Sequence, residues 1–117
     1  MKKEITIDGR TLALSANAAT PIRYKMTFNQ DLIIQLGSVK DDRSIFTETL
    51  SQMAYIMNKQ AEGDLSDLSF ENYLMWLEDF EDPNTFVNCS DAIVNFYLSN
   101  VKTGSKVKNP KGPRTGK

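Results

Sequence analysis

The 117-residue sequence has no histidine and a single cysteine, Cys89. Those two gaps exclude imidazole acid–base catalysis, Cys–His nucleophilic catalysis, a disulfide within one chain and a zinc site of the usual N/S type. No apolar run approaches the roughly 20 residues that a membrane span requires. The opening Met1-Lys2-Lys3-Glu4 leads into alternation rather than an uninterrupted apolar stretch, so it does not read as a signal peptide. The expected location is the cytoplasm, and the expected class is a non-enzymatic protein without cofactor or metal.

What is present fits one domain. The chain is 40% hydrophobic and 25% charged, near the globular average. At this size a fold buries roughly two thirds of its unfolded surface and needs no covalent staple. The net charge of −1 conceals an asymmetry. Residues 101–117 carry six cations and no acid, whereas the first hundred residues are net −7. An acidic body is followed by a basic tail.

Residues 4–14 give a β-hairpin signal. Ile5 and Ile7 alternate with polar residues, Asp8-Gly9 supplies the positive φ angles of a type I′ turn, and Leu12 and Leu14 alternate on the return. An isolated hairpin is marginal in water, so its apolar face must pack on helices or on a partner.

The remainder reads as helical. Thr20-Pro21 predicts an N-cap and first-turn proline for a helix over 21–28, with Ile22, Met26 and Tyr24 facing inward. Asn29 breaks it, and a short helix over 30–36 ends at Gly37. A helix over 44–61, capped by Asp42 or Ser44, carries the stripe Phe46, Leu50, Met53 and Met57. Ser69 starts a helix over 69–80 with Phe70, Tyr73, Leu74, Leu77 and Phe80 inward and Trp76 at the edge of the stripe. Pro83 stops it. The last helix, 84–100, presents Phe86, Val87, Ile93, Val94, Tyr97 and Leu98, with Val101 continuing that face. Residues 101–117, poor in aromatics and rich in Gly, Pro and Lys, read as a disordered basic tail or linker. The fold class is mainly α (α+β): a small N-terminal hairpin and four to five short helices forming one domain over 1–100.

Candidate chemical motifs are weak. Gly112 to Lys117 resembles a phosphate loop in letters, but the spacing is one residue short and no strand precedes it. Glu78, Asp79, Glu81 and Asp82 form a solvated helix end or meet a basic partner; a calcium-loop pattern is missing. Asn88-Cys89-Ser90 matches a glycosylation sequon by letters only, and Cys89 shares a face with Phe86 and Ile93 as a small core residue. The basic tail offers phosphate neutralisation, yet it lacks aromatics for stacking and hangs from an acidic body, which argues against nucleic acid.

Apolar residues off the helical stripes point to a partner. Tyr55 lies opposite the Phe46–Met57 stripe, Met75 lies roughly opposite Leu74 and Leu77, and Trp76 stands at the edge of its helix's stripe. These three are the candidate partner-binding residues, against the alternative of ordinary core or scattered surface. Five methionines add adaptable apolar surface. The hairpin edge is a further candidate contact.

The order of these features resembles the tail assembly chaperones of long-tailed phages and prophages of Gram-positive bacteria. The likeness spans roughly residues 1–100. It rests on the hairpin, on Ala19-Thr20-Pro21 with Arg23-Tyr24, and on Phe28, Asp31 and Leu32 of a Phe-x-x-Asp-Leu segment. The Trp76-containing helix and the last amphipathic helix complete it. The resemblance implies a chaperone that holds the helical, aggregation-prone tape measure protein soluble while tail-tube subunits polymerise. It also implies self-association, action in the host cytoplasm and absence from the mature virion. In many members a ribosomal frameshift yields a longer form, for which Asn109-Pro110-Lys111 and Thr115-Gly116-Lys117 permit slippery codons. Two other readings stand beside it: a structural head–tail connector or tail-completion subunit, and a small nucleic-acid-binding regulator using the basic tail.

Overall fold

Strand β1 (Lys2–Ile7) returns through Asp8-Gly9 into β2 (Arg10–Ser15), pairing Ile7 with Arg10, Ile5 with Leu12 and Lys3 with Leu14. Asp8 and Gly9 take φ of 56° and 74°, as a two-residue primed turn demands. Ile7, Leu12 and Leu14 bury on the face the alternation marks out. The structure, a computed structural model, describes residues 2–38 and 44–105, and side-chain surroundings for 2–37 and 47–99. Asp42 and the segment 106–117 lie outside the described residues, and the side chains of Phe46 and Val101 outside the range with described surroundings, as do the expectations placed on them.

Six helices follow among the described residues: α1 (Thr20–Phe28), α2 (Leu32–Ser38), α3 (Ser44–Glu62), α4 (Phe70–Leu77), α5 (Thr85–Asn88) and α6 (Ser90–Ser105). The hairpin-plus-helices architecture is therefore as expected, with altered boundaries. Asn29 ends α1 in the left-handed conformation at φ 58°. Asp31 caps α2 by accepting the N–H groups of Ile33 and Ile34 at 2.9 and 3.1 Å, and α2 runs past Gly37 to Ser38. Ser69 caps α4 by accepting from Asn72 N–H at 3.0 Å. Thr20 is not a cap. It is the first residue of α1, and its hydroxyl accepts from the N–H of Asn17 at 3.0 Å.

Three boundaries differ for physical reasons. The expected 69–80 helix stops at Leu77, because Glu78, Asp79, Glu81 and Asp82 would crowd the negative end of its dipole. Phe80 turns back instead and packs its ring 5.0 Å from Trp76 and 5.2 Å from Phe86. The expected 84–100 helix is broken at Cys89 (φ −108°, ψ 15°), where the half-buried thiol donates to the Thr6 carbonyl at 3.6 Å. Its second part runs on to Ser105, so residues 101–105 are helical rather than tail.

Helix α3 is the centre. It contacts β2 and each of the other five helices. Every residue from Thr49 to Asn58 is buried, including Leu50, Met53 and Met57 of the expected stripe. A helix covered on all sides must satisfy its polar side chains internally. Gln52 accepts from the Tyr24 hydroxyl at 2.7 Å, and the hydroxyls of Ser51 and Tyr73 bond at 2.5 Å. Asn58 donates to the Ala13 carbonyl at 2.9 Å, and Gln60 to the Ser15 carbonyl at 2.6 Å. Two side-chain amides thus occupy the outer edge of β2, where unpaired carbonyls would otherwise face a third strand.

Candidate functional site

The three sequence-derived contact residues converge on one groove. Tyr55, Met75 and Trp76 line a hollow between α3 and α4, with Lys59, Asp64, Asp67, Asn72 and Asp79 around it. Their exposures differ. Met75 stands 60% exposed at the rim, Trp76 is half-buried, and Tyr55 is 1% exposed. The expectation of an outward Tyr55 is corrected: α3 is not a surface helix, and the residue opposite its main stripe lies under a second layer. That layer is aromatic, with Tyr73 and Trp76 at ring-centroid distances of 5.7 and 5.5 Å from Tyr55. The Trp76 indole N–H donates to Asn58 Oδ1 at 3.1 Å, fixing the ring across the groove wall.

The groove is electrostatically one-sided. Lys59 stands 3.6 Å from Glu62 and 3.7 Å from Asp64. Asp67 and Asp79 add negative charge to the lining. Burial pushes the Tyr55 phenol above its ordinary range, and Asp64 and Asp67 push it further in the same direction. Further along, the acids following α4 meet the hairpin tip. Arg10 donates to the Asp79 carbonyl at 3.1 Å and lies 5.3 Å over the Phe80 ring, while Asp8 accepts from Glu81 N–H at 2.8 Å.

A second surface lies on α1, where the expected orientation is reversed. Ile22 and Met26 are 62% and 80% exposed, and Tyr24 alone of the three is buried. Helix α1 offers two stripes at spacing four: Thr20-Tyr24-Phe28 and Ile22-Met26. The aromatic stripe wins the core because its rings bury more area and pack with others, Phe28 lying 5.2 Å from Tyr24 and 5.1 Å from Tyr73. The displaced stripe faces out. Ile22 and Met26 line one hollow with Pro21 and Ile33 and another with Leu65 and Leu68. Phe70 and Leu74, expected inward, are also partly exposed, since the eight-residue α4 turns chiefly Tyr73 into the core.

No protein-family model matches the chain, and no curated protein or solved structure matches it. Among the described residues no group of three or more His, Cys, Asp or Glu is placed to hold a metal ion. No described helix is long and apolar enough to cross a membrane.

Proposed function

We propose that this chain is a non-enzymatic tail assembly chaperone of the long-tailed phage type, binding helical segments of a tape measure protein before the tail tube closes around them. The observation that carries this reading is the outward apolar surface of α1 and the start of α2, where Ile22 and Met26 of α1 and Ile33 of α2 stand more than half exposed around adjoining hollows. Large apolar side chains held outward on a folded scaffold fit the mode in which an amphipathic helix lays its apolar stripe into a groove. Met26 adapts its shape to differing side chains, which suits a long target presenting many similar but unequal segments. Weak self-association would let several copies engage one target by avidity. On this reading the protein acts in the host cytoplasm and leaves before the virion is complete.

Co-expression with the tape measure protein of the same phage or prophage tests it. A soluble complex that co-purifies, and that is lost with Met26→Glu, supports the proposal. A target that stays insoluble in the presence of the wild-type chain overturns it. So does recovery of this chain in stoichiometric amount from purified particles, which would mark a structural subunit.

A further inference from the structure

The groove of Tyr55, Met75 and Trp76 lies in the most acidic part of the chain. Residues 60–82 hold eight carboxylates and no cation, and Asp64, Asp67 and Asp79 stand on the groove lining itself. Lys59 is already engaged by Glu62 and Asp64. The result is a half-buried Trp76 ring backed by Tyr55, with the exposed Met75 thioether and the three carboxylates at the rim.

A segment of matching chemistry exists in the same sequence. Residues 106–117 contain Lys106, Lys108, Lys111, Arg114 and Lys117, and no acid. Within them, Pro110-Lys111-Gly112-Pro113-Arg114 is a Pro-x-x-Pro core with cations inside and beside it. Proline fixes φ near the polyproline II value, so such a segment loses little entropy when it binds extended. In a polyproline II helix, with three residues per turn, prolines three positions apart share one side. Aromatic grooves recognise that side by packing rings against it, and acidic rims take the flanking cations. The tryptophan face adds attraction for lysine or arginine. The α1 surface is a poorer match, because Arg23 and Lys25 line its hollows.

We propose that residues 106–117 bind in the Trp76 groove of the same molecule, prolines toward Trp76 and Met75 and cations toward Asp64, Asp67 and Asp79. Pro110 and Pro113 follow Ser105 by five and eight residues, a reach of up to roughly 17 and 28 Å of extended chain. Covalent attachment sets its local concentration in the millimolar range expected for short tethers, so even a weak contact is occupied. This contact uses a different face from α1 and stands whether or not the chain is a chaperone.

The test uses the full chain, in which Trp76 is the single tryptophan and its emission reports on the groove alone. A quadruple variant, Pro110→Ala, Lys111→Gln, Pro113→Ala and Arg114→Gln, is expected to shift Trp76 emission to the red and raise iodide quenching, with unchanged far-ultraviolet circular dichroism. Asp67→Lys with Asp79→Lys is expected to reproduce that shift. So is raising salt from about 0.05 to about 0.5 M, which shortens the screening length severalfold. Identical emission and quenching in the wild type and the quadruple variant at low salt overturns the proposal. A spin label on Thr115→Cys in a Cys89→Ser background should broaden the Trp76 indole N–H resonance. Broadening that survives dilution with excess unlabelled chain supports contact within one molecule, and broadening that disappears overturns that assignment.

Discussion

Asn58 joins Trp76 to β2: its Oδ1 accepts the indole N–H at 3.1 Å while its amide donates to the Ala13 carbonyl at 2.9 Å. One buried side chain on α3 therefore orients the groove wall and occupies a carbonyl on the sheet edge. Replacing it by Ala removes both bonds and leaves a half-buried donor and a half-buried acceptor that water can reach, a loss of about 0.5–1.5 kcal/mol per bond. Asn58→Ala should lower the urea midpoint and shift Trp76 emission together. A midpoint equal to the wild type would show that these two bonds contribute nothing net.

The α1 face and the α3 core should separate stability from binding. Ile22→Lys and Met26→Glu change exposed positions and are expected to alter stability by no more than about 0.5 kcal/mol; under the proposed function they also abolish capture of a tape measure protein. Leu50→Ala opens a cavity beside the hairpin and helices and should cost about 2–5 kcal/mol. Denaturation curves and pull-downs on the same three variants check both halves.

The phenols of Tyr24, Tyr55, Tyr73 and Tyr97 are all pushed above their ordinary range, in each case chiefly by burial. In the unfolded chain they ionise near pH 10. Since the folded state holds those protons longer, their stabilisation is fully present below about pH 10 and is lost as pH rises from there through the folded values. Absorbance of phenolate should therefore rise in step with loss of helical circular dichroism. Complete phenol ionisation at pH 10 to 11 with the helical signal intact would contradict the burial.

Gly9 isolates backbone strain from packing. Its φ is 74°, and a Cβ there would meet no atom within 4 Å. Gly9→Ala is expected to cost about 1–2 kcal/mol from the left-handed conformation alone, read as a drop in thermal midpoint without change in the folded spectrum.

The hairpin was legible because alternation and Asp8-Gly9 agree, and nothing else competes for that pattern. Helix α3 was half legible. Leu50, Met53 and Met57 mark one buried face, but Ser51, Gln52 and Asn58 look like solvent positions until their partners Tyr73, Tyr24, Trp76 and Ala13 are in place. Tyr55 was misplaced for that reason, although its grouping with Met75 and Trp76 is spatial fact. The choice between the stripes of α1 was not legible: both repeat every four residues, and only the aromatic neighbours from α3 and α4 decide it. The break at Cys89 has no strong local signal either, since it answers to the strand carbonyl of Thr6.

Because β2 and the other described helices share α3 as their common contact, no seam divides the described residues into halves that could open apart. Its slowest-exchanging amides should be those of residues 50–57, with protection equal to the free energy of complete unfolding and to nothing smaller. Surfaces carried on such a hub are displayed by a rigid body. Whatever adjusts when a partner arrives must be side chains such as Met26 and Met75, or the partner itself, and not the arrangement of the helices.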